Sequence, residues 1–147
     1  MEINKQNNLL ELFYQQYLKE KPDQIFLKSL KNLENEFTWK ETYLNILKLS
    51  EELDSFLDTK DRCLLISENR PEWMITDLAI MLSKGITVPA YTTYVERDYE
   101  YLIDDCNPSI VIVSDHLQYK KIKNIIKSKT FIKKIYQKNL ALMSLLF

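Results

Sequence analysis

The segment from Arg62 to Thr93, RCLLISENRPEWMITDLAIMLSKGITVPAYTT, constrains this chain more than any other, because it holds a strand, turn, helix, turn and second strand in order. Cys63 to Ile66 is a short, wholly apolar run, the pattern of a strand covered on both faces, and polar residues follow from Ser67 to Arg70. Pro71 suits the first helical position, where its missing N–H has no helical partner to lose. Met74, Leu78, Met81 and Leu82 recur at helical spacing and predict one apolar stripe. Gly85, the only glycine in the chain, stands where a left-handed residue ends a helix. Ile86 to Val88 then predict a second strand, stopped by Pro89. A crossover of this length implies parallel pairing and a right-handed connection.

The rest of the chain falls into place around this βαβ unit. Asn7 or Asn8 is expected to cap a first helix with Leu10, Phe13, Tyr14 and Tyr17 on one face, closed by Lys19 to Lys21 and Pro22. Ile25 to Leu30 reads as a strand, and the polar turn Asn32 to Glu36 before Phe37 makes a hairpin. Thr38 and Glu41 have capping-box spacing, and the helix they start is expected to run to Asp58. A helix from about Arg97 to Cys106, carrying Tyr101, Leu102 and Asp105, is stopped by Asn107 and Pro108. Ile110 to Val113 follows as a third buried strand. Asp115 caps a helix to about Lys127, and Phe131 to Tyr136 supplies a fourth strand. This alternation predicts an α/β fold: a parallel sheet with helices on both faces. At 147 residues, without an internal repeat or a flexible tether, the chain is one domain or part of one.

Charge and cysteine usage narrow the function classes. A net charge of -1 gives no reason to expect nucleic-acid binding. The eight lysines between His116 and Lys138 read as solvated helix faces rather than an anion site. Cys63 and Cys106 suggest neither a disulfide framework nor a zinc site but reduced thiols. No apolar run reaches membrane-spanning length and no N-terminal leader pattern is present, so the expectation is a cytoplasmic protein without a transmembrane segment. Peripheral membrane contact through the Lys-rich helix and the apolar tail NLALMSLLF is disfavoured, since Ile122, Ile125 and Ile126 make the face expected of any helix on a sheet.

Few residues invite a chemical role. Arg70, Glu72 and Trp73 lie just past a strand end, where open α/β sheets bind ligands, but a turn held by Glu68 and Arg70 with Trp73 packed on the sheet is the favoured reading. Tyr91, Thr92 and Thr93 are weighed the same way. His116, the lone histidine, reads as a solvated helix-start residue rather than a base. Glu68 and Asp115 both follow strands and would converge at one sheet edge in an independent small binding or signalling domain.

Three stretches together carry a family resemblance: FTWKE at the long helix start, DRCLLISENRPEW from Asp61 to Trp73, and GITVPAYTT from Gly85 to Thr93. In this order, over about residues 9–115, the chain resembles the N-terminal region of AMP-forming acyl-CoA synthetases, in the long-chain fatty acid–CoA ligase branch of the adenylate-forming superfamily. The resemblance leaves residues 116–147 unassigned. It implies a parent enzyme that joins a fatty acid to ATP as acyl-adenylate, with magnesium, and passes the acyl group to coenzyme A. The family holds ATP phosphates in a Ser/Thr/Gly-rich loop, whose glycines admit close approach of backbone N–H groups. With its single glycine at a helix end, this chain has no such loop. Consequently no catalytic, cofactor-binding or metal residue is carried over, and no cofactor is expected on these residues alone. The implied role is a piece of a ligase, inactive by itself, with a separately encoded remainder as the candidate partner.

Overall fold

The computed structural model describes residues 8–31 and 35–137. The turn residues 32–34 and the apolar tail, both singled out above, lie outside them.

Asn8 caps α1 (Leu9–Tyr17) by accepting from the Glu11 N–H at 2.9 Å. Next comes an antiparallel hairpin of β1 (Ile25–Lys28) and β2 (Glu36–Thr38), with an irregularity between Ile25 and Leu27. The first strand ends before Leu30, which is 94% exposed. Thr38 and Glu41 form the expected capping box, the Thr38 hydroxyl accepting from the Glu41 N–H at 3.1 Å and the Glu41 carboxylate accepting from the Thr38 N–H at 2.8 Å. The helix they start, α2 (Trp39–Asp54), stops four residues before Asp58. Its C-terminal turn tightens, Phe56 N–H donating to Leu53 and Asp61 N–H to Asp58, so that Leu57 folds back into the core.

The main sheet contains β3 (Arg62–Ile66), β4 (Ile86–Ala90), β5 (Ile110–Val113) and β6 (Lys134–Gln137) in the order β4-β3-β5-β6, all parallel. Helices α3 (Pro71–Leu82), α4 (Glu96–Cys106) and α5 (His116–Ile126) connect them. Strand alternation sorts the core into two halves. Cys63 and Ile110 face the α1, α2 and α3 side with Phe13, Leu53 and Leu78, while Leu64, Ile66, Val111 and Val113 face Tyr99 and Ile103 of α4 and Ile122 of α5. The last strand begins later than Phe131 and continues to Gln137.

Three local expectations are corrected here. The helix α3 has no single stripe: Ile75 to Ile80 are all buried while Leu82 is exposed, because α3 is enclosed by α2, the sheet and α1. Pro89 does not stop β4, which continues to Ala90 with Pro89 opposite Leu65. A proline is tolerated there because β4 is an edge strand with an unpaired side. Gly85 is not left-handed; Lys84 takes that conformation, with φ 61°. What requires glycine at 85 is space, since a Cβ would stand 3.0 Å from Ile80 Cγ2, 3.2 Å from the Ile80 carbonyl oxygen and 3.2 Å from Leu57 Cδ1.

Candidate functional site

After β3 the chain turns by way of α3 to β4 on one side, and after β5 it turns by way of α5 to β6 on the other. The C-terminal ends of β3 and β5 therefore mark a topological switch point, the place where open α/β sheets leave a crevice. A cavity of about 80 Å³ lies there. Its floor is Leu65 of β3, Ile112 of β5 and Tyr136 of β6; Phe37, Asn45 and Leu49 form one wall, and Arg70, Glu72, Trp73 and Thr76 another.

Two of the three residues singled out beside this strand end, Arg70 and Glu72, are held together. Arg70 Nε donates to Glu72 Oε2 at 3.0 Å and its terminal NH2 to Oε1 at 3.1 Å. Glu68 is thus not the partner of Arg70; Glu72 sits in the first helical turn, where the helix dipole favours negative charge. Asn35 Nδ2 donates to the same Oε1 at 3.1 Å, tying the hairpin to the start of α3. Trp73 is half-buried in the cavity wall.

Ser114, which sequence reasoning passed over for Asp115, is one of the polar groups that line the cavity. Its backbone N–H extends the ladder to Ile66 at 2.9 Å, while its hydroxyl is buried without a hydrogen-bond partner. Alternation with Ile112 puts that side chain on the cavity side of the sheet. The strand period was a readable signal for it; the cavity was not. Tyr136 faces Glu52, and burial together with that carboxylate's charge pushes its phenol well above the usual range.

The other residues weighed from sequence go elsewhere. Asp115 caps α5 by accepting from the Gln118 N–H at 2.8 Å. Among the described residues no group of three or more His, Cys, Asp or Glu side chains could hold a metal ion. His116 is exposed at the start of α5, its Nδ1 3.3 Å from the Gln137 side-chain nitrogen. Tyr91 is exposed and its carbonyl accepts from the Tyr99 hydroxyl at 2.8 Å, while the Thr92 carbonyl accepts from Lys121. Lys129 pairs with Asp104, Lys133 with Asp58 and Asp61, and Lys134 lies over the Phe56 ring, so several of the clustered lysines serve the fold. Cys63 and Cys106 are free and buried. Burial, then the charge of Asp61, pushes the Cys63 thiol up to about 12, which keeps it protonated and unreactive.

The model of the AMP-binding enzyme family matches residues 14–143, from α1 through β6 and past it. The chain belongs to that family. Among curated relatives, the mouse long-chain-fatty-acid–CoA ligase ACSBG2 is 35% identical over 80 residues, 54% of this chain and 12% of that protein. The chicken long-chain-fatty-acid–CoA ligase ACSBG2 is 32% identical over 54 residues, 37% of this chain and 7% of that one. The matched segments thus span about a tenth of the length of these ligases. The crystal structure of the anthranilate CoA ligase AuaEII in complex with anthranoyl-AMP superimposes with a TM-score of 0.78 at 18% identity, over 91% of this chain and 26% of that chain. Such a likeness establishes the fold: the parallel sheet and its helices are the N-terminal part of an AMP-binding domain. Among the described residues no helix is long and apolar enough to cross a membrane.

Proposed function

We propose that these residues are the N-terminal piece of a long-chain fatty acid–CoA ligase and do not adenylate a fatty acid on their own. The observation that carries this reading is the family match over residues 14–143 in a chain whose single glycine is packed against Ile80 and Leu57. A phosphate cradle needs backbone N–H groups converging on the anion, and glycines are what permit that approach. Electrostatic stabilisation of the transferring group is usually the largest catalytic contribution, and the residues present offer no substitute for it. The Arg70 guanidinium, the one cation at the cavity wall among the described residues, is already engaged by Glu72. ATP, magnesium and coenzyme A belong on this reading to the whole enzyme, and the partner is the remainder of the ligase. The fatty acyl preference follows the long-chain ligases that the sequence matches.

The alternative of an independent binding domain built on Glu68 and Asp115 draws no support from the geometry, because one Asp115 oxygen caps α5 and no metal-ligating cluster forms there among the described residues. The test is ATP–pyrophosphate exchange and palmitoyl-hydroxamate formation by the purified chain with magnesium and palmitate. No turnover above a protein-free blank is expected. Turnover abolished by a substitution in this chain would overturn the reading.

A further inference from the structure

We infer that the cavity at the C-terminal ends of β3, β5 and β6 is a binding site for a short, branched aliphatic molecule carrying one neutral hydrogen-bonding group, such as a four-carbon alcohol.

Size decides against larger ligands. A cavity of about 150 Å³ lined by Leu, Ile and Phe accommodates benzene, and this one is about 80 Å³. Neither a purine nor an extended fatty acyl chain fits in that space. A group of four or five heavy atoms does.

Its chemistry is set by the walls. Phe37, Leu49, Leu65, Ile75 and Ile112 present apolar surface, so the ligand's body is hydrocarbon. The exceptions are Ser114 and Tyr136, 7% and 5% exposed, whose buried hydroxyls have no hydrogen-bond partner within the protein, and an alcohol, at once donor and acceptor, can meet either of them. A buried hydroxyl left unpaired is costly, and a ligand that brings one acceptor or donor to it recovers that loss. A charged ligand head is disfavoured. Arg70 and Glu72 neutralise each other through two hydrogen bonds, so the wall offers a carboxylate no free cation and an amine no free anion. The site is independent of the ligase reading, since it uses only side chains present in this chain.

The test is a titration of the isotope-labelled chain with isobutanol, followed by amide chemical shifts, with xenon as an apolar probe that makes no hydrogen bond. Saturable shifts confined to Ser114, Thr76, Gln137 and their neighbours are expected for both probes. Ser114→Ala should weaken isobutanol binding roughly fivefold, the worth of one neutral hydrogen bond, and leave xenon binding unchanged. Ile112→Phe, which fills the cavity, should abolish both. Shifts that rise linearly without saturation, or that spread over the surface, would overturn the proposal. So would an Ser114→Ala chain that binds isobutanol as tightly as the native one. Should Ile112→Phe fail to fold, the Ser114→Ala comparison decides alone, because that change removes one oxygen and leaves the packing in place.

Discussion

At the N-terminal end of the parallel sheet Lys133 lies 2.9 Å from the Asp58 carboxylate and 3.0 Å from that of Asp61, and Arg62 reaches the Cys106 carbonyl. There Gly85 is packed so closely against Ile80 and Leu57 that a methyl group would make them give way by a few tenths of an ångström. At the C-terminal end, four or five residues along the same strands, a cavity remains and the Ser114 hydroxyl goes unpaired. Both ends are made by the same strands, so the difference does not come from the sheet. It comes from what the loops do. The loops at the N-terminal end are cross-linked by ion pairs and backbone hydrogen bonds, whereas those at the other end diverge to opposite sides at the switch point. The contacts that tie the loops gather at one end of the sheet, and the unfilled space lies at the other.

That contrast can be broken first at Gly85. Gly85→Val should destabilise by about 3 kcal/mol, through overpacking against the Ile80 backbone rather than through left-handed strain. A shift in the urea midpoint corresponding to less than a third of that would mean the N-terminal end is looser than described. The neighbouring position should respond in the opposite sense. Lys84→Gly should stabilise by roughly 0.5–1 kcal/mol, since the left-handed φ of 61° is relieved at no cost in packing. Thermal unfolding of the two variants side by side separates space from backbone conformation as the reason for the glycine.

The C-terminal end should tolerate filling. Ser114→Val is expected to raise stability by about 0.5–1 kcal/mol, replacing a buried unpaired hydroxyl with apolar surface beside a void. A loss instead of a gain would show that the hydroxyl is satisfied in solution. The smallest effect is that of acid on the ion cluster. Burial raises the Asp61 pKa, but Ser109, the Asp58 backbone and Lys133 outweigh it and hold the carboxyl below its usual 3.8. A folded-state value below the unfolded one gives stability that is present above about pH 4 and disappears as pH falls through the folded value. The stability gap between native chain and Asp61→Asn, measured by urea titration at stepped pH, should therefore be widest near neutrality and close in acid. A gap that persists at pH 2 would assign the contribution to packing instead.

Local chemistry was legible wherever it depends on neighbours in sequence. The capping box at Thr38 and Glu41 and the caps at Asn8 and Asp115 need only three-residue spacing, and the structure places each where that spacing puts it. Pro71 opens α3 for the same reason. The apolar run Cys63 to Ile66 announced a strand covered on both sides, and a helix between two such runs required parallel pairing. The end of α2 was misjudged because Phe56 and Leu57 continue the helical period, and only their packing shows that they do so from a turn.

By itself, then, the sequence determined the elements, their α/β alternation and the AMP-binding family, because those rest on periodicity, caps and short motifs read along the chain. Tertiary structure alone decided that Pro89 sits on an edge strand, that Gly85 answers to Ile80 and Leu57, and that Glu72 rather than Glu68 takes Arg70. It alone brought Ser114 to a cavity shared with Phe37 and Tyr136, residues far apart in sequence. The physical reason is that excluded volume and unpaired hydrogen-bonding groups are set by which segments pack together, and no local pattern encodes that partner.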